Sequence, residues 1–433
     1  MLLNRNVLIG LLLLAALLWA HAPATGGLET PDDIAPKTKD YRIASTDCGS
    51  TVIGSSGPWT LTLPSAAEFR ARCVVQVCNA DKNDSAHHAI RLTGFPPPSF
   101  PRLWMQQCEE VSIIDGAWSI TKFPGKFRPT FTPTLYIDEA GSDSNDGLLS
   151  NATGNALASV QQCFNIIKWE WDSQSLIPMC SPSAGQTITG CPNYSYRDAG
   201  VIFLVGNGGN ATLRSSCNVV VEENDFGGYI IFSNITLDCT LAASHPCYGL
   251  FLHQQNGTDL ASAAPADHSV TFVGAGSEDI GIWCDAFCRI DSSQPVSFSG
   301  TFKTLVAIDF HSNAHFDNGV KFTDNLKATG NAFRVARSSA LMLQSTMQIG
   351  TSVSFGANVF DVNDLSHVLL SNTFGVAGEL SSGRQWTVLN NGLLCNDSAN
   401  AVPGTPGINS AKGASDGTIA AATNGSNCVP DFP

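Results

Sequence analysis

The chain has 433 residues, of which only 14% are charged, and it carries a net charge of −14. Ordinary domains are roughly one quarter charged; here Gly, Ser, Thr and Asn fill the gap, and no Lys/Arg cluster occurs, so nucleic acid is not expected as a partner. This is the composition of a turn-rich all-β protein rather than a helical one, in a chain long enough to bury a large core.

The N-terminus predicts export. Arg5 is the only charged side chain among the first twenty residues, an unbroken apolar run follows from Val7 to Ala20, and Ala20-His21-Ala22 is a small-x-small triplet. These are the three parts of a secretory signal peptide, assigned to residues 1–22. The run is short for a permanent membrane helix, and no other apolar stretch is long enough to span a bilayer. The mature chain is therefore expected outside the cell or on its surface, without a transmembrane helix.

Fourteen cysteines, an even number, fit disulfides in an exported chain. The close pairs are Cys73/Cys78, Cys180/Cys191, Cys239/Cys247, Cys284/Cys288 and Cys395/Cys428. Spacing alone does not decide which of them bond. No CxxC pairs recur and His87-His88 is the only adjacent histidine pair, so neither a metal site nor a cofactor is expected. Eight Asn-x-Ser/Thr sequons begin at Asn83, Asn151, Asn193, Asn210, Asn234, Asn256, Asn396 and Asn424; they carry meaning only in a host that glycosylates them.

Residues 23–40 read as a linker, with Gly26-Gly27, Pro31 and Pro36. Residues 41–131 read as a small β module. Trp59-Thr-Leu-Thr-Leu-Pro64 alternates with period two, Cys73-Val-Val-Gln-Val-Cys78 is a Val-rich strand, and Asp115-Gly116 turns a hairpin between Val111–Ile114 and Ala117–Thr121. Residues 132–395 form the next unit. It opens with the strand Thr134-Leu-Tyr-Ile-Asp138 and the loop Gly141-Ser-Asp-Ser-Asn-Asp-Gly147. Leu157, Val160, Phe164, Ile167 and Trp171 then step by 3, 4, 3 and 4, which predicts an amphipathic helix near 155–171 with Asn155 as N-cap. Strands follow almost exclusively after residue 200, and 396–433 is a Gly/Ala/Ser-rich tail.

The strands repeat. Gly281-Ile-Trp-Cys-Asp, Ala307-Ile-Asp-Phe-His, Ala332-Phe-Arg-Val-Ala and Val359-Phe-Asp-Val-Asn start roughly 26 residues apart (307−281, 332−307, 359−332), and Tyr248-Gly-Leu-Phe-Leu-His is a looser copy. A unit of that size cannot bury its own apolar face, but stacked copies can, each strand pairing with its equivalent one turn later. The prediction is a right-handed parallel β-helix whose lone helix covers the exposed first coil.

At this point the chain resembles a known group. Tyr136-Ile-Asp138, the loop at 141–147 and the following helix are similar to the entry of pectin-lyase-like β-helices found in bacteriophage tail-spike and tail-fibre proteins and in related bacterial proteins. The module ahead of it, and Arg384-Gln-Trp-Thr-Val-Leu-Asn-Asn-Gly392 followed by Val402-Pro-Gly-Thr-Pro-Gly407, resemble the flanking segments of that group. The resemblance implies a polysaccharide or cell-surface glycan as partner and a homotrimer as one assembly. The signal peptide and the cysteine load depart from the phage pattern. They favour an exported cellular protein over a phage or prophage tail component.

The enzymes of that fold cleave polysaccharides with carboxylates on an outer face, either as lyases or as glycoside hydrolases. Aligned on their starts, the repeats place Trp283, Asp309, Arg334 and Asp361 in one outward column, and Asp285, His311, Ala336 and Asn363 in the next. Asp309, Asp361, Asp285 and His311 are the candidate catalytic residues; Trp283 and Arg334 are candidate ligand contacts. The alternative reading is a solvated ladder of cross-strand charge pairs. Asp143, Asn145 and Asp146 have part of a calcium-loop spacing without the closing Glu, which favours an Asx-turn. His87-His88 reads as surface loop, and Gly413-Ala-Ser415-Asp-Gly417 has no strand before it to make a nucleophile elbow. The first expectation is a glycan-binding or structural role; the second is a polysaccharide-degrading enzyme.

Overall fold

The sequence repeat resolves into three short strands per coil, each hydrogen-bonded to its equivalent in the next coil. The computed structural model describes residues 36–396, apart from 56–57, 70–71, 85, 87, 97–101, 151–154, 173–175, 196–200, 225–228, 243, 254–256, 261–268, 372, 379 and 391, and adds the backbone of 418–421. The signal peptide, most of the linker, Cys428 and most of the tail lie outside the described residues.

The first ladder runs from Thr134–Ile137 through Met179–Pro182 and Val201–Val205 to Leu393–Asn396 and Thr418–Ala421. The second runs from Thr187–Thr189 to Gly375–Ala377, and the third from Asn193–Tyr194 to Ser382–Val388. Their pairings are parallel. Together they form a β-solenoid of about eleven turns, the parallel β-helix expected from the repeats. The reason is visible in single strands. In Val201–Val205, Ile202 and Leu204 are buried while the alternate residues are half-buried. Register sets Ile202 beside Ile230 and Leu204 beside Phe232. Like stacks on like down the interior: the rings of Phe272 and Phe298 lie 5.2 Å apart at 17°, and those of Phe333 and Phe360 5.5 Å apart at 18°. Each coil so covers the apolar face of its neighbour and satisfies its backbone groups.

The module ahead of the solenoid holds two four-stranded sheets around its own core of Val52, Leu61, Val75, Val77, Ile90 and Val111. It starts in coil-like fashion. Tyr41–Arg42, Thr60–Thr62 and Ile90–Thr93 pair in parallel, as do Thr51–Gly54 and Val74–Asn79. The antiparallel hairpin Cys108–Ile114/Ala117–Lys122 then closes the second sheet. Asp115 (φ 53°) and Gly116 (φ 78°) make its turn, the left-handed pair that a two-residue hairpin needs.

The helix is shorter than its periodicity suggests. It spans Val160–Asn165 and continues as a π-turn, Ile166–Glu170. Ser159, not Asn155, is its N-cap: Ser159 Oγ accepts from the Gln162 N–H at 3.1 Å. Leu157 belongs to the preceding bridge, donating to Tyr136 O at 2.9 Å and accepting from Asp138 N at 2.8 Å, so the backbone is extended where helix was expected. Val160, Cys163, Phe164, Ile166 and Ile167 are buried in the same core as the first coil. No helix among the described residues is long and apolar enough to cross a membrane.

Module and solenoid meet at the loop 141–147. Arg102, 1% exposed, donates from Nη1 to Glu170 Oε1 at 2.8 Å, from Nε to Asn145 O at 2.7 Å, and from Nη2 to Asp143 O. Trp104 Nε1 donates to the other Glu170 oxygen at 2.9 Å. His88, read as surface, is in fact buried, with Nδ1 3.1 Å from Asp146 Oδ2. The residue type was visible in the sequence; the carboxylate 58 positions away that buries with it was not. The loop itself is built as expected of an Asx-turn, Asp146 Oδ1 accepting from Leu148 N at 3.0 Å. Asp143 serves the helix, accepting from Ala158 N and Ser159 N at 3.0 and 2.9 Å.

Among the described residues, disulfides join Cys48–Cys73, Cys78–Cys108, Cys163–Cys180, Cys191–Cys217, Cys239–Cys247 and Cys284–Cys288. Two of the close pairs are therefore real. Cys73/Cys78 and Cys180/Cys191 are not: each of those cysteines bonds elsewhere. Cys73 precedes the extended strand Val74–Asn79 and Cys78 lies near its far end, which holds their Cα atoms too far apart for one bridge. Cys48–Cys73, Cys78–Cys108 and Cys191–Cys217 span 25, 30 and 26 residues, about one coil; near in space means one turn away, not a few residues away. Cys395 is buried in the first ladder, and its suggested pairing with Cys428 lies outside the described residues.

Candidate functional site on the third ladder

The outer face of the third ladder collects the sequence candidates, in a register that differs from the aligned starts. Phe251 pairs with Trp283, Trp283 with Ala307, Ala307 with Arg334 and Arg334 with Asp361. The coil from Trp283 to Ala307 is thus shorter than the two that follow it, Ala307 to Arg334 and Arg334 to Asp361 (307−283 against 334−307 and 361−334). Loops between ladders absorb the difference, so alignment on a mean period sets one strand two places out of register. Asp309 consequently stands beside Asp285, one position past the Cys284–Ile308 pair, and not beside Trp283. Arg334 and Asp361 do share the Trp283 column.

The face reads as two halves. The upper half is aromatic. Trp283 lies 5.1 Å from the Tyr248 ring and 5.2 Å from the Phe251 ring, at 36° and 39°. Sequence reasoning passed over Tyr248 and Phe251, although Tyr248–His253 was visible as a loose copy; register makes it a full neighbour of Ile280–Asp285. The lower half is charged. His253 Nδ1 lies 3.3 Å from Asp285 Oδ2. Asp309 Oδ2 lies 3.7 Å from Arg334 Nη2 and 3.9 Å from Arg337 Nη1. These last two are ion pairs without hydrogen-bond geometry. Asp361 accepts from Asn331 Nδ2 at 3.1 Å and Asn363 Nδ2 at 2.6 Å.

Burial raises the pKa of the Asp309 carboxyl. Arg334 and Arg337 oppose the rise, and Asp285 and Asp364 add to it. Burial also raises the pKa of Asp361, against the Asn363 hydrogen bond, the charge of Arg334 and the Asn331 hydrogen bond. Trp283 Nε1, Asp285 Oδ1 and Asp309 Oδ1 are buried on this face with no hydrogen-bond partner among the described residues. Buried polar atoms are paired almost everywhere in proteins, and these three cluster on one face, whereas Trp171 Nε1 and both Glu223 oxygens lie apart from it.

His311 is not part of the flat face. It sits at the next corner with φ 60°, its ring stacked on Phe287 at 5.2 Å and 9°. That corner repeats in four coils as two successive left-handed residues: Ala286-Phe287, Phe310-His311, Arg337-Ser338 and Asp364-Leu365. The second residue's N–H donates to the carbonyl of the first residue one coil on, as in Phe287 N to Phe310 O at 2.9 Å and Ser338 N to Asp364 O at 2.8 Å. Cys284–Cys288 staples the first of these corners.

The residues of the flank line neither the cleft of about 280 Å³ between module and solenoid, beside Trp59, Arg91 and Asn145, nor the groove of about 610 Å³ along Gly206–Asn210. Among the described residues no group of His, Cys, Asp or Glu is arranged to hold a metal ion. Comparison of the chain with family models, curated proteins and solved structures finds no match.

Proposed function

We propose that this protein is an exported β-helix that binds glycans on the outer face of its third ladder. The carrying observation is the aromatic surface of Tyr248, Phe251 and Trp283 directly above the carboxyls and guanidiniums of Asp285, Asp309, Arg334 and Asp361. Aromatic rings offer a flat apolar body to the C–H face of a sugar, while fixed carboxyls and guanidiniums pair with its hydroxyls. Export is supported by the N-terminal leader and by the six disulfides of the described residues. The pectin-lyase-like and tail-spike resemblance supports the same ligand class through the shared parallel β-helix.

A second reading, a glycoside hydrolase or lyase, is favoured by one observation. Asp285 and Asp309 stand on adjacent strands, roughly 4.8 Å apart along the stack, and burial biases Asp309 towards its protonated form. An acid beside a second carboxylate is what glycoside hydrolysis uses. One experiment separates the readings. The mature protein is applied to a glycan panel, and bound chains, reducing ends and unsaturated products are measured for wild type, Trp283→Ala and the pair Asp285→Asn/Asp309→Asn. Binding without products, lost in Trp283→Ala, is expected. Products that vanish in the Asp pair would replace binder by enzyme. A wild type that retains no glycan rejects both.

A further inference from the structure

We infer that the corner following the third ladder is a second contact surface for the glycan, and that the chain it takes is neutral. This rests on the glycan reading above. Left-handed backbone disfavours bulky side chains, which is why Gly, Asn and Asp usually occupy it. Elsewhere in the solenoid the described left-handed residues follow that rule, as at Asn234, Gly319, Asn325 and Ser352. At this corner Phe287, Phe310 and Leu365 take φ of 65°, 49° and 63°, and they are 56%, 42% and 57% exposed. Each is strained and none is repaid by burial. One contact each for Phe287 and Phe310 is their return within the fold, and strain retained at exposed positions points to function.

The neighbours specify the ligand. His311 lies flat on Phe287, and the Arg337 guanidinium sits 4.0 Å over the Phe310 ring. Each contact covers one face of its ring and holds the ring in place. Phe287 comes four positions after Trp283, at most about 13 Å of extended chain, with Asp285 between them. A glycan lying along the strand direction therefore meets an aromatic plate, then carboxyls, then a second plate at the corner. Arg334 and Arg337 each face carboxyls of this path, Asp309 and Asp361 among them, with Asp285 and Asp364 beside. A polyanion finds no excess of cations there, and a neutral chain needs none.

The test pairs stability with binding. Phe287→Asn, Phe310→Asn and Leu365→Asn, combined, replace each bulky residue by one suited to the left-handed region. Thermal unfolding is expected at an equal or higher midpoint. Retention on immobilised dextran or xylan is expected to fall about tenfold, as loss of ring stacking implies. Phe287→Tyr, which keeps the ring, should bind as wild type does. A lowered midpoint would make the three residues structural and overturn the inference, as would a change of oligomeric state, which would make a second copy the occupant. Unchanged binding by the triple variant, with Trp283→Ala already defective, overturns the corner and leaves the flank standing. Preference for polygalacturonate over both neutral chains overturns the neutral-ligand assignment. If the triple variant shows no cooperative transition, Phe310→Asn alone is read by the same criteria.

Discussion

The junction between module and solenoid and the flank of the third ladder both bury charge, and they treat it in opposite ways. At the junction, the donors of Arg102 and both oxygens of Glu170 are engaged, and Asp146 accepts from the Ala89 backbone, Asn155 and Leu148 while facing His88. On the flank, Asp309 is almost as buried, yet one oxygen has no partner among the described residues and the other faces two guanidiniums beyond hydrogen-bond length. A closed network fixes how two parts of the chain meet. A face with several open valences close together is where we propose that a ligand binds. The clustering of unsatisfied atoms, rather than burial or charge, sets the flank apart from the junction.

The comparison breaks most readily at the junction. Arg102→Met leaves Glu170 buried without its cation and should cost about 3–5 kcal/mol in denaturant unfolding; adding Glu170→Gln should recover much of the loss. If Arg102→Met is neutral, the network is not what holds module to solenoid. Glu223 is a third case, since it lies in the solenoid interior, fully buried, with neither oxygen partnered among the described residues. Burial alone raises its pKa well above the ordinary value. A raised carboxyl pKa leaves stability intact below the unfolded-state pKa and removes it as pH rises through the folded-state pKa. Glu223→Leu should therefore stabilise the protein at neutral pH by about 1–3 kcal/mol and flatten the decline of the unfolding midpoint with rising pH. The smallest effect belongs to the flank. Asp309→Asn removes a carboxyl whose pKa burial also raises, and half-exposed arginines lose little. Its stability at neutral pH should stay within about 1 kcal/mol of wild type or rise. A large destabilisation would place Asp309 with the junction, as structure.

Much of the architecture was legible because it repeats. Equivalent apolar residues such as Ile282, Val306, Phe333 and Phe360 recur once per coil and stack, so periodicity alone called for a parallel β-helix. The site was legible by residue and not by register. Trp283, Arg334 and Asp361 fall in one column as aligned, but Asp309 moves beside Asp285, because the coil that follows Trp283 is shorter than the one that follows Ala307. His311 left the flat face for the corner for the same reason. Asn155 looked like a cap because local pattern cannot show that Leu157 is committed to Tyr136.

What the sequence by itself determined is what depends on near neighbours and on composition. These are the all-β character, the repeat, the hairpin at Asp115-Gly116 and the Asx-turn in the 141–147 loop. Those features follow from backbone preference and side-chain alternation over a few residues, which the chain carries locally. Tertiary structure alone decided which cysteines meet a coil away, which carboxylate buries His88, which acids stand side by side on the third ladder, and that Phe287, Phe310 and Leu365 line one strained corner. Each of these depends on the lengths of intervening loops, and stacking converts a small difference in loop length into a different neighbour.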